Sequence, residues 1–311
     1  MTLAVAFIGF GEVGQLFGGQ LAAKPGVSVR AFDTLFADPA KGPRLFEVAR
    51  AADVRIANDH ADACRGADLV ISAVTADAAI AAAGQAAPAL VPGQTYVDLN
   101  SISPTTKSAV AAAVASSGVA FVEFAVMAPV AGPGISVPIL AGGRTARDVA
   151  GLLNPLGMRI DAVAEHIGVA SATKLCRSIV IKGLEAIMVD LNAAAASAGV
   201  LPAVLASLTA SYPGMDWAEV ARTMPGRVKR HGVRRAAEMR EAAKMLEEAG
   251  IDGAFASAIA DAHEKYARAE ARADEKKING GNDADDQRER PGAASRHREG
   301  NAAAVGAARA S

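Results

Sequence analysis

The chain has 311 residues, 51% of them hydrophobic, and its 32 basic and 33 acidic residues leave a net charge of −1. That length is enough for two domains, and the near-zero charge provides no field to gather nucleic acid or an anionic membrane, so neither is expected as a partner. No apolar run reaches the ~18 residues of a membrane span. Cys64 and Cys176 stand far apart without metal-ligand spacing, and the apolar start Met1-Thr2-Leu3 has no basic flank. A cytoplasmic protein without leader peptide, disulfide or metal site is expected.

Residues 3–8 form a short continuous apolar run ending in glycine, which reads as a strand buried on both faces. A helix follows to about residue 21. Residues 27–32, 69–74, 95–99 and 120–124 read as further strands, with helical patterns over 42–51, 76–90 and 105–117 between them. Alternating strands and helices imply an α/β domain, a Rossmann doubly wound parallel sheet over 1–165. Residues 171–198 are then helical throughout, with Gly183 as their one glycine and no proline. Such a helix is roughly 40 Å long at 1.5 Å per residue. It reads as the long connecting helix into an all-α C-terminal domain over 166–273, with further helices at 202–211, 216–224, 232–249 and 252–272. From 274 the chain turns charged and poor in apolar residues, so 274–311 is expected to be a disordered tail.

The first strand runs into Gly9-Phe10-Gly11-Glu12-Val13-Gly14 and then into a helix. Gly9 permits the tight turn, Gly11 lets the backbone approach a pyrophosphate, and Gly14 lets the helix pack closely on the strand. The N–H groups at the helix start would hold the phosphates. Asp33 closes the second strand, 19 residues after Gly14. A carboxylate there accepts hydrogen bonds from both ribose hydroxyls of NAD and repels the 2′-phosphate of NADP. Thr34-Leu35-Phe36 supply no arginine, so NAD is favoured over NADP.

Three further motifs follow in order. They are Val74-Thr75 after the third strand, the loop Asp98-Leu99-Asn100-Ser101-Ile102-Ser103-Pro104, and Gly168-x-x-Ser171-x-x-Lys174 at the head of the long helix. With the glycine turn, they resemble the β-hydroxyacid dehydrogenase family over about residues 1–270. Lys174-Leu-Cys-Arg-Ser178 and the stretch from His231 to Arg240 point to its uncharacterised phosphogluconate-dehydrogenase-like branch. The resemblance implies that Lys174 is the general acid/base, that Ser101 lines both nicotinamide and substrate, and that Val74 and Thr75 run beside the adenosine and ribose. Some relatives also decarboxylate their product. Ser103-Pro104 reads as the cap of the helix over 105–117. The resemblance further implies a homodimer with intertwined C-terminal domains.

The chain also departs from the family pattern. Met127 stands where relatives carry a serine that binds the substrate carboxylate, Ser178 replaces an asparagine, and Ala237 replaces a second lysine. Arg177, His231 and Arg235 are candidates to replace the lost donors, since a guanidinium fork binds an anionic substrate through two bonds. Arg235 also sits among charges typical of a solvated helix face. The reading is an NAD-dependent oxidoreductase acting on a β-hydroxyacid or related alcohol. The alternatives are an imine reductase-like enzyme, against which the retained lysine speaks, and a dinucleotide-sensing protein without catalysis.

Overall fold

The computed structural model describes the backbone of residues 2–285 and the side chains of residues 2–269. The apolar run at the start forms β1 (Leu3–Ile8), followed by α1 (Glu12–Ala22), β2 (Val27–Phe32), α2 (Gly42–Ala51), β3 (Arg55–Ile56) and α3 (His60–Cys64). The chain then returns to pair β4 (Leu69–Ser72) with the other side of β1. It continues through α4 (Ala79–Ala86), β5 (Thr95–Asp98), α5 (Pro104–Val114) and β6 (Ala120–Val126). The eight-stranded sheet, in the order β3-β2-β1-β4-β5-β6-β7-β8, is completed by β7 (Pro138–Gly142), α6 (Ala146–Leu153) and β8 (Arg159–Ala164). Every pairing is parallel except β6 with β7.

β1 and β4 are neighbours from which the chain winds off in opposite directions. In a doubly wound sheet this switch point opens a crevice beyond the carboxyl ends of the strands. The sheet is buried on both faces. One face packs Phe7, Phe17, Leu21, Ile71, Val97 and Phe124, and the other packs Ile8, Val70, Tyr96, Ile102 and Val110.

α7 (Val169–Ser197) is one helix of 29 residues, as its glycine- and proline-poor sequence predicts. It leads into α8 (Leu201–Ser211), α9 (Trp217–Glu248) and α10 (Ala254–Asp285). α7 and α9 pack together with α10, and Gly232 lets α10 approach, because a Cβ there would come 2.5 Å from the His263 carbonyl oxygen. Leu175, Met239 and Ile259 centre this second core.

Three sequence expectations are corrected. The helices expected at 216–224 and 232–249 are one, α9, with Pro225 inside it. Proline removes one helical hydrogen bond, but buried Ala221, Met224 and Val228 hold both flanks in one packed stripe. The helix expected at 76–90 is α4 flanked by two short 3-10 turns, Ala76–Ala78 and Ala87–Ala89. The backbone of 274–285, expected to be disordered, is helical as part of α10. Glu275, Lys276 and Lys277 are good helix formers, so charge alone does not end the helix at 273. The remainder of the expected tail, 286–311, lies outside the described residues. Contacts gather the chain into a compact unit ending at Ala267 and a second unit beginning at Arg268.

Candidate active site

The glycine turn lies at the switch point. Gly9 has φ +97, and a Cβ there would collide with the Ala73 carbonyl and lie 3.0 Å from the Val74 nitrogen, so the turn nests against the end of β4. At Gly14 a Cβ would strike the Gly9 carbonyl. At Gly11 a Cβ would meet nothing within 4 Å. The first and third glycines are therefore required by the protein's own packing, while the second borders open space, as a ligand-facing position should. No side chain caps the N-terminus of α1, which leaves its dipole for an anion. Glu12 in this first turn is itself acidic, and Arg234 of α9 approaches it at 3.8 Å.

Asp33 sits just after β2 and ties the turn down. Its Oδ2 accepts from the Phe10 N–H at 2.6 Å, and its Oδ1 accepts from the Leu35 N–H at 2.8 Å. Each carboxylate oxygen has a second lone pair, so the group can still accept from ribose hydroxyls. Val74 is half-buried and Thr75 exposed beside the turn. Glycine turn, uncapped helix and acid at the second strand together fit a nicotinamide dinucleotide.

The loop after β5 carries Ser101, and a buried network holds it. Lys107 and Asp98, both fully buried, form an ion pair, and Lys107 Nζ also donates to the Asp98 carbonyl at 2.8 Å. Asn100 Nδ2 donates to Asp98 Oδ2 at 2.6 Å and to Ser72 Oγ at 3.1 Å. Ser103 caps α5 as expected, its Oγ accepting from the Thr106 N–H at 3.2 Å. Glu241 of α9 accepts from the Ser103 N–H at 2.7 Å and ties the loop to the helical core.

α7 presents the lysine. Glu123, fully buried on β6, accepts from the Gly168 N–H at 2.6 Å and the Ala170 N–H at 3.1 Å. An acidic side chain thereby fixes the first turn of α7, where the helix dipole favours negative charge. One turn further on, Lys174 donates a short hydrogen bond to Ser101 Oγ. Burial lowers the Lys174 amine from 10.5 to about 8, Glu238 opposes that shift, and Lys182, Lys107 and Arg234 reinforce it. For Glu238, burial pushes the carboxyl up, but Lys174 and Lys182, with the Ser178 hydroxyl, hold it down at about 2.

The other sequence candidates separate into two groups. Arg177 Nη1 donates to the Met127 carbonyl at 3.1 Å, so these two meet beside Lys174. Ser178 gives its hydroxyl to Glu238 Oε1 at 2.5 Å. His231 is half-buried, and burial followed by Arg234 and Arg235 lowers its pKa, while Glu12 raises it. Arg235 does not take the substrate-facing place expected of it. It is buried in the helical core and ion-paired with Glu185, so its guanidinium is already engaged. Ala237 is exposed, while its neighbour Glu238 reaches Ser178 on α7. Sequence reasoning missed Glu123, Lys107, Lys182 and Glu241. A lone acid inside the apolar run of β6 was a usable signal for Glu123.

Residues 4–168 match the NAD binding domain of 6-phosphogluconate dehydrogenase, and 195–266 match a domain of unknown function (DUF1932). The chain is similar to the solved structure of a conserved hypothetical protein from Sinorhizobium meliloti 1021, at 40% identity over 85% of this chain and 88% of that one, with a TM-score of 0.70. It is also similar to the conserved protein MTH1747 of unknown function, whose structure shows similarity to 3-hydroxyacid dehydrogenases. Identity there is 33% over 86% of this chain and 99% of that one, with a TM-score of 0.68. Mycobacterium tuberculosis 3-hydroxyisobutyrate dehydrogenase with L-serine shares the fold at 22% identity, over 86% of this chain and 94% of that one, with a TM-score of 0.70.

Proposed function

The chain belongs to the β-hydroxyacid dehydrogenase family of nicotinamide-dependent oxidoreductases, and on that premise we propose that it transfers hydride between the carbinol carbon of a β-hydroxyacid, or a related alcohol, and NAD, with Lys174 as general acid/base. The observation that carries this reading is the largely desolvated Lys174 amine held against Ser101 at the end of the dinucleotide sheet. When bound, the dinucleotide supplies the nicotinamide ring that accepts or returns the hydride.

Hydride leaves a carbinol carbon only as its hydroxyl gives up a proton, so the oxidation needs a base within hydrogen-bond reach. An ordinary lysine is almost wholly protonated near neutrality. At about 8, Lys174 holds a usable share of both forms. Its neutral Nζ takes the proton in oxidation, and its ammonium returns one to the developing alkoxide in reduction. Ser101 orients the amine and offers its hydroxyl to the same substrate oxygen.

Arg177 supports an anionic substrate. It is exposed and uses one nitrogen on the Met127 carbonyl, which leaves the rest of its fork for a carboxylate. The Met127 side chain then meets the apolar part of the substrate. His231, kept neutral near pH 7 by its lowered pKa, offers a hydrogen bond rather than a charge. Asp33 supports NAD over NADP, because its carboxylate would stand against a 2′-phosphate.

The test is a panel of hydroxyacids followed by NADH absorbance, with wild type and Lys174→Ala compared on any substrate found. Loss of about 10²–10⁴-fold in turnover is expected, the usual contribution of a positioned acid or base. Full turnover by Lys174→Ala would overturn the mechanism, and tight NADH binding without any turnover would overturn the enzyme reading.

A further inference from the structure

α7 and α9 face each other along two rows of polar side chains. On α7, Lys174, Ser178 and Lys182 follow at four-residue steps and so share one face. On α9, Arg234, Glu238 and Glu241 recur at steps of four and three. The rows touch at Glu238. Its Oε1 accepts from Ser178 Oγ at 2.5 Å and from Lys182 Nζ at 3.2 Å, and Lys182 also donates to Ser178 Oγ at 3.1 Å. Lys174 is one turn from Ser178, a spacing that sets Cβ atoms about 5–6 Å apart. The Glu238 carboxylate is therefore anchored, through Ser178 and Lys182, on the face of α7 that carries Lys174.

We propose that Glu238 is the counter-charge that positions Lys174 and keeps a proton on it, and that Lys182 opposes it, so that this pair sets the poise of the catalytic amine. The inference rests on Lys174 being the acid/base.

The charges facing the amine come from three helices. They are Lys182 on its own helix, Lys107 on α5, and Arg234 and Glu238 on α9. Lys107 is engaged by Asp98, Arg234 faces Glu12, and Glu241 is bound to the Ser103 N–H. Of the four charges acting on Lys174, Glu238 alone is negative. Burial and the three cations all favour the neutral amine, which is ready to accept a proton in oxidation but has none to return in reduction. Glu238 is the group that favours the ammonium, and it makes the site usable in both directions. Lys182 limits its effect by taking up part of the same carboxylate.

The test needs no substrate. Surface and site lysines of the full chain are reductively methylated with ¹³C-formaldehyde, and the Lys174 signal is assigned by its absence in Lys174→Arg. Its pH titration in the wild type should centre near 8. Glu238→Gln should move the midpoint down, on the order of one pH unit, as removal of a nearby opposite charge does. Lys182→Met should move it up, and Glu238→Asp should restore most of the wild-type value. Shifts of the same sign in Glu238→Gln and Lys182→Met would overturn the proposal, as would an unmoved midpoint in either. If Glu238→Gln fails to fold, the upward shift in Lys182→Met decides. This readout is separate from catalysis. Opposite shifts with a fully active Lys174→Ala would defeat the acid/base reading alone, and unmoved midpoints with an inactive Lys174→Ala would defeat the counter-charge alone.

Discussion

Glu123 offers the sharpest check on how α7 is held, because its contribution can be worked from four observations. Its carboxylate is fully buried, and Oε1 accepts from two backbone N–H groups of the first turn of α7, at 2.6 and 3.1 Å. Oε2 has no hydrogen-bond partner among the described residues. Gly142 leaves room for the carboxylate, since a Cβ there would come 2.6 Å from Oε1. A hydrogen bond to a charged group is worth roughly 1.5–3 kcal/mol net, and a buried unpaired oxygen costs roughly 1–3 kcal/mol. Two such bonds, about 3–6 kcal/mol, less one orphan of about 1–3 leave a central value of about 2.5 kcal/mol in favour of Glu123. Glu123→Ala should therefore lower the unfolding free energy by about that amount, measured from urea titrations followed by circular dichroism. Glu123→Gln keeps an acceptor for the two N–H groups but loses the charge that the helix dipole favours, so it should fall between alanine and wild type. An exposed substitution such as Ser108→Ala sets the background. If Glu123→Ala lies within about 0.5 kcal/mol of that background, the usual range of surface changes, the capping argument is refuted.

Two further outcomes follow from the same geometry. Asp33→Asn removes the charge that receives the Phe10 N–H and, as proposed, the ribose, and should weaken NADH binding by roughly 10–100-fold, the equivalent of one charged hydrogen bond, with a smaller change for NADPH. Calorimetric titration checks this, and equal affinity of the wild type for the two cofactors would count against the NAD assignment. α8 has no buried residue, and Val180 and Ile187 of α7 are 66% and 52% exposed. An apolar face of this kind is what a second copy of the chain would cover, so we propose a homodimer, and a monomeric mass by light scattering would contradict it.

What could be read from the sequence was mostly local. The glycine turn, the Ser103-Pro104 cap and the unbroken 29-residue helix each depend on neighbours within a few positions, and all three stand in the structure. The two-residue β3 escaped notice by its length, and β7 and β8 because they are only partly buried and lack the continuous apolar run that marks β1 and β4. Pro225 suggested a break that packing on both sides overrides. The charges were harder to read. Arg235 resembles a solvated helix residue in sequence, yet its partner Glu185 lies fifty positions earlier and is fully buried. Glu238 and Ser178 are likewise sixty positions apart. A charge takes its role from what faces it, and composition and spacing carry no record of that.

The three departures at residues 127, 178 and 237 belong to two separate changes. Arg177 donates from α7 to the Met127 carbonyl at 3.1 Å, and under the proposed function the substrate would meet that pair. Ser178 and Ala237 alter the charge around the amine. The short side chain of Ser178 meets the Glu238 carboxylate at 2.5 Å and so ties α9 to α7. The approaching carboxylate brings a negative charge into a desolvated site, and such a charge needs a cation beside it. Lys182 provides it at 3.2 Å. Ala237 carries no charge, and the cation beside Glu238 comes from α7, two turns beyond Lys174. With Lys174 as the proposed acid/base, these contacts set the balance of charge around it.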